Sequence, residues 1–95
     1  MKLGQLVSDA DQAFADRTVT GFAIDHRKIA PGTVFGAFEG ASFNGEDFID
    51  AAIAAGAVAI VARPEAQVTG ALHIADAEPR RAFAQLAANY FRPFP

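Results

Sequence analysis

Apolar residues come in short runs divided by Gly, Pro and polar residues, and the spacing within those runs changes along the chain. Leu3, Leu6 and Val7 share a helical face just before Ser8-Asp9, which predicts one or two turns of helix. Residues 10–17 show no clear period and read as loop. Residues 19–25 alternate and begin with β-branched side chains, which predicts a strand ending at the charged triplet Asp25-His26-Arg27. Residues 33–38 and 57–62 are nearly unbroken apolar runs of strand length, the pattern of strands covered on both faces. Residues 64–70 read as loop and 71–75 as a further short strand.

Two helices complete the pattern. Phe48, Ile49, Ala52 and Ile53 form one apolar face. Asn44 is a suitable cap before them, and Gly56 is placed to end the helix in the left-handed conformation. Ala82, Phe83, Leu86, Ala87, Tyr90 and Phe91 recur at helical spacing after a capping Asp76 and a first-turn Pro79. Pro93 and Pro95 stop this helix, and Arg92-Pro93-Phe94-Pro95 reads as a connection to another unit. Strand, helix and strand in this order predict an α/β domain: a small layered structure over residues 1–95, with a mostly parallel or mixed sheet of about four strands and helices packed on it.

Length and composition narrow the function. Ninety-five residues fit one domain, and 52% hydrophobic content with no low-complexity run is globular. Eight basic against eleven acidic residues, with no basic cluster, exclude a nucleic-acid footprint. The absence of Cys excludes disulfides, thiolate zinc sites and a Cys nucleophile, and fits a reducing compartment. Polar residues follow Met1 too closely for a signal peptide, and the longest apolar run, residues 51–62, is too short to span a bilayer. A cytoplasmic domain with no membrane partner is the expectation.

The candidate chemistry sits where strands end. Loops after the carboxyl ends of strands are where α/β sheets bind ligands. Pro31-Gly32 is a turn pair, Gly36 inside its strand suggests close approach of a backbone or a ligand, and two polar segments follow strands. In the first, Asp25 and Arg27 read either as a structural ion pair and cap or as site residues, and His26 as a hydrogen-bonding group at the loop end. His73, in a short apolar strand, reads as a satisfied, partly buried histidine, and the two histidines form no metal motif. In the second, Gly40-Ala41-Ser42-Phe43-Asn44-Gly45 opens into a helix, whose outward N–H groups suit an anion such as a diphosphate. Glu46 and Asp47 oppose that reading, because their charges already occupy the helix dipole; an ordinary connecting loop is the alternative. Phe43 either stacks on a ligand ring or staples the helix. No G-x-x-x-x-G-K-[ST] occurs, so the chain carries no recognisable ATP site, and no residue is singled out as catalytic or metal-binding.

Taken in order, Ile24-Asp25-His26-Arg27, then Pro31-Gly32-Thr33-Val34-Phe35-Gly36-Ala37-Phe38-Glu39-Gly40, then Asn44-Gly45-Glu46-Asp47-Phe48-Ile49 and Ala54-Ala55-Gly56-Ala57-Val58-Ala59-Ile60-Val61 resemble the N-terminal domain of the Mur ligases, which build the peptide of bacterial peptidoglycan. The family pattern is D-S-R, P-G-D-L-F-V-A-L-x-G, D-G-x-x-F and G-A-x-A-[IV]-[IV]. The start of the chain and Leu86-Ala87-Ala88-Asn89-Tyr90-Phe91 are most similar to the members that add the third peptide residue, diaminopimelate or lysine. The resemblance implies that this domain binds the UDP part of a UDP-N-acetylmuramoyl-dipeptide and does not itself catalyse. It places ATP and magnesium in the parent enzyme, ATP in a separate central domain. It puts substrate contacts on Ile24, His26, Ala41, Ser42 and Phe43, with Asp25, Arg27, Asn44 and Gly45 in support. His26 stands where the family has Ser, and Asn44-Gly45 where it has Asp-Gly. Two rivals remain: the first domain of the member that adds the terminal dipeptide, and an interaction module with no nucleotide ligand.

Overall fold

A computed structural model describes residues 1–8, 10–40 and 44–91. Four strands form one sheet in the order β1 (Gly21–Ala23), β2 (Thr33–Gly36), β3 (Ala59–Ala62) and β4 (Leu72–Ala75), every neighbouring pair parallel. The mixed alternative is thereby set aside. β2 and β3 are buried along their whole length, as their unbroken apolar sequences require, whereas the edge strands β1 and β4 are half-covered.

The register sorts side chains into two layers. Phe22, Val34, Ala59 and Leu72 lie in one row across the sheet, and Ala23, Phe35, Ile60 and His73 in the next, facing the other way. The Val34 face packs against Leu3 of α1 (Leu3–Leu6), against Phe14 of α2 (Gln12–Ala15), and against Phe83, Leu86 and Tyr90 of α4 (Pro79–Phe91). The Phe35 face packs against Ile49 and Ala52 of α3 (Ile49–Ala54) and against Ile29, Phe48 and Val68. Phe35, Leu3, Ile60, Val19, Val34 and Val61 are essentially inaccessible, and each contributes roughly 1.5–3 kcal/mol relative to exposure.

Several local expectations are met. The Ala30 carbonyl accepts from the Thr33 N–H at 3.1 Å across Pro31-Gly32, and Gly32 has φ +94°, a type II turn. Gly56 has φ +117° and its carbonyl accepts from the Gly32 N–H at 3.0 Å, which ties the two crossovers together at the amino edge of the sheet. His73 is half-buried with Nε2 3.1 Å from the Arg63 carbonyl, the satisfied histidine expected.

Two expectations need correction. Residues 12–15 are helical, because Asp11 accepts from the Ala13 N–H at 2.9 Å and caps a turn whose Phe14 and Ala15 are half-buried. The first strand begins at Gly21; residues before it instead join the amino terminus, through a Lys2–Thr18 bridge and a Val19 N–H donating to the Met1 carbonyl. Gly36, where close approach was expected, is met by aromatic rings, since an added Cβ would lie 2.6 Å from Phe38 Cζ and 2.9 Å from Phe83 Cδ2, and it also lines a hollow at the sheet edge. No helix among the described residues is long and apolar enough to cross a membrane.

Candidate functional site

Because β1 and β2 are parallel neighbours, the segments that follow them leave the same edge of the sheet. After β1 the chain bends at Ile24-Asp25 into a single 3-10 turn, His26–Lys28. Asp25 builds that turn: Oδ1 accepts from the Arg27 N–H at 3.0 Å, and its two oxygens accept from Arg27 Nε and Nη2 at 3.0 and 2.9 Å. The side-chain hydrogen bonds from Arg27, followed by the one from its N–H, lower the Asp25 carboxyl to about 2, and the Arg27 guanidinium rises in turn. The ion-pair-and-cap reading of these two residues is the one the geometry takes. His26 lies between them in the chain, and its ring is parallel to Phe48 with centroids 4.0 Å apart.

After β2, residues 37–40 lead to a loop whose ends meet. Glu39 and Asn44 form an antiparallel bridge, and the Gly45 N–H donates to the Phe38 carbonyl at 2.7 Å. Gly45 is required there, since a Cβ would sit 2.8 Å from the Phe38 nitrogen. Asn44 caps the turn Gly45–Phe48, its Oδ1 accepting from the Glu46 N–H at 3.0 Å and its carbonyl from the Asp47 N–H at 3.1 Å. The N–H groups of Gly45, Glu46 and Asp47 are therefore used internally, and the expected outward-facing anion cradle is not formed by them. Ala41, Ser42 and Phe43 lie outside the described residues.

Three hollows follow one another along this rim. Ile24, Asp25, His26, Arg27, Phe35 and Phe48 line one of about 430 Å³. Ile24 also walls a smaller one of about 120 Å³ with Gly36, Phe38, Gly40, Gly45 and Arg80. Phe38 and Arg80 in turn border a third, about 410 Å³, shared with Glu46, Arg63 and Arg81. The segments after β1 and β2 thus open onto common space, with Ile24, an exposed apolar residue, between the first two hollows.

Sequence reasoning left out three residues at this rim. Phe48, read as part of a helix face and of the family motif but given no contact of its own, backs His26. Arg63, directly after β3, donates to Glu46 through Nε at 2.6 Å and Nη2 at 3.2 Å, and its Nε lies 3.0 Å from Glu39, so one guanidinium grips both flanks of the loop. The Glu46 hydrogen bonds first, then the charge of Glu39, raise the Arg63 pKa. This pairing offsets the Glu46 charge that argued against an anion. Arg80, opening α4 just beyond β4, lies over the Phe38 ring with Cζ 4.9 Å from the centroid and donates to the Glu39 carbonyl at 3.0 Å. The signal for both was present: each follows a strand's carboxyl end, as the chosen loops do.

Comparison with known proteins agrees with this architecture. The chain is 62% identical over 80 residues to UDP-N-acetylmuramoyl-L-alanyl-D-glutamate--2,6-diaminopimelate ligase of Zymomonas mobilis subsp. mobilis, an alignment covering 84% of this chain and 16% of that protein. It is 47% identical over 94 residues to the ligase of the same name from Bradyrhizobium diazoefficiens, covering 96% of this chain and 19% of the relative. The chain therefore spans less than a fifth of the length of these relatives. A solved structure of a ligase of that name superposes with TM-score 0.76 over 97% of this chain and 19% of its own, at 22% identity, which shows the shared fold. Residues 18–91 match the model of the Mur ligase family, catalytic domain, and with relatives of this similarity the chain belongs to the Mur ligase family.

Proposed function

We propose that this domain holds the uridine diphosphate end of UDP-N-acetylmuramoyl-L-alanyl-D-glutamate for an ATP-dependent, cytoplasmic ligase that joins 2,6-diaminopimelate to it in peptidoglycan synthesis. The observation that carries the reading is the position of Ile24, which walls both the hollow beside His26 and the one beside Gly40 and Gly45. One elongated ligand can run through both. The first hollow suits the base: Phe35, Phe48 and Ile24 supply apolar walls, and His26 presents a flat ring. The ribose and diphosphate then extend past Ile24 toward Gly40 and Gly45.

Such a domain binds without catalysing. Fixing the nucleotide end holds the distant carboxylate of the substrate where the chemistry occurs, a proximity effect. ATP and magnesium belong, in this reading, to another domain of the ligase. The chain's own residues do not fit them: the sequence has no G-x-x-x-x-G-K-[ST], and the described residues contain no group of three acidic or His side chains able to hold a metal. The names of the relatives favour diaminopimelate over lysine, and the third-residue ligase over the member adding the terminal dipeptide.

Titration of the isotope-labelled chain with UDP tests the reading against that of an interaction module. Amide shifts concentrated at Ile24–Arg27, at residues 40–45 and at Phe48 are expected. No shifts at millimolar UDP, or shifts centred on β4, would reject it.

A further inference from the structure

We propose that Arg80 is the residue that meets the diphosphate of the bound nucleotide and sets the preference for nucleoside diphosphate over nucleoside. The inference rests on the uridine diphosphate reading above and adds a role for a side chain outside both loops.

Three observations carry it. The first is that the backbone donors at the start of the turn Gly45–Phe48 are already consumed: Gly45 N–H by Phe38, and Glu46 and Asp47 N–H by Asn44. Those three N–H groups are closed to a diphosphate, which turns attention to the side-chain donors among the described residues of this rim.

The second is the charge pairing of the rim arginines. Arg27 is held by Asp25, Arg63 by Glu46 and Glu39, and Arg81 by Glu78 at 3.5 Å. Among the described residues Arg80 has no carboxylate partner; it donates from Nη2 to the neutral Glu39 carbonyl and rests on the Phe38 ring. Those two contacts orient the guanidinium and leave most of its five N–H donors unused, with its full charge unpaired. The Glu39 carboxylate, the acid nearest along the chain to that contact, is turned to Arg63.

The third is location. Arg80 is shared by the small hollow beside Ile24, Gly40 and Gly45 and by the larger one beyond it, so it stands at the end of the path that a nucleotide takes outward from His26. An oriented guanidinium beside a phosphate gives charge-assisted, two-pronged hydrogen bonds that a nucleoside cannot receive.

The test compares UDP with uridine on the wild-type chain and on Arg80→Gln and Arg80→Lys. Arg80→Gln is expected to weaken UDP about tenfold and to flatten its salt dependence, with uridine changed less than about twofold. Arg80→Lys, which keeps the charge, should recover part of the loss. Amide shifts outside residues 36–48 and 76–84 report whether the variant keeps its fold. Equal losses for UDP and uridine would overturn the proposal, since Arg80 would then only support the Phe38 loop; so would an unchanged UDP affinity. If wild-type chain takes up no UDP at all, the nucleotide reading fails together with this one. Wild-type binding with Arg80→Gln unaffected defeats this one alone.

Discussion

His26 lies flat on Phe48, the two ring planes 4° apart and their centroids separated by 4.0 Å. The pair joins the turn after β1 to the turn after β2, and both rings line the same hollow. Where the family pattern has a Ser hydroxyl, this chain offers a braced aromatic wall. If that wall faces the base, as proposed, His26→Ala should weaken uridine and UDP alike, by about tenfold each, because stacking on the base is indifferent to phosphate. Calorimetric or shift titrations of the two ligands check this. A loss confined to UDP would contradict it.

The Asp25–Arg27 pair makes a pH prediction. Its carboxyl falls from an ordinary 3.8 to about 2 in the folded chain. A lowered folded value means the contribution is complete above about pH 3.8 and fades as pH drops through about 2. Asp25→Asn keeps a capping oxygen but loses the charge. Its urea midpoint should lie below wild type at pH 7, with the gap closing toward pH 2. A gap that stays constant with pH would show that the ion pair contributes nothing.

Among the described residues Gly32, Gly56 and Gly70 have positive φ but meet different surroundings. A Cβ on Gly32 would lie 2.7 Å from the Thr20 side chain and 2.8 Å from the Thr18 carbonyl; on Gly56, 2.7 Å from Pro31 Cα; on Gly70, 3.4 Å from an Ile53 methyl. Gly70→Ala should cost about 1 kcal/mol, from backbone conformation alone. Gly32→Ala and Gly56→Ala should cost about 2–4 kcal/mol, because crowding adds to it. Equal losses in urea unfolding would refute the crowding argument.

Arg63 should govern the loop between Glu39 and Glu46. Arg63→Gln releases both flanks, so exchange of the Gly45 amide, now donating to Phe38 at 2.7 Å, should speed by roughly tenfold. Unchanged protection would mean that the Glu39–Asn44 bridge holds the loop unaided.

Much of this was readable from local pattern, and the reason is range. The unbroken apolar runs of β2 and β3, the Pro31-Gly32 turn and the Asn44 cap are each determined within a few residues, and all are found in place. The capped turn at residues 12–15 was missed because four residues are too few to show a period; Asp11 was its one signal. The rim arginines were missed for the opposite reason. Arg63 meets Glu46 across 17 residues and Arg80 meets Glu39 across 41, so nothing in either neighbourhood announces the contact. Only the all-parallel strand order brings the ends of β3 and β4 to the edge already occupied by Ile24 and Gly40. Gly36 announced close approach without naming the Phe38 and Phe83 rings, because a missing side chain does not say what approaches.

The central claim is that the base end of the nucleotide lies against His26 and Phe48, with the phosphates beyond Ile24. Intermolecular nuclear Overhauser effects between UDP and the labelled chain measure this directly. The account predicts contacts from uracil H5 and H6 to the rings of His26, Phe35 and Phe48 and to the Ile24 methyls. Uracil contacts to Phe38 and Arg80 instead, with none to His26, would reverse the ligand and contradict it.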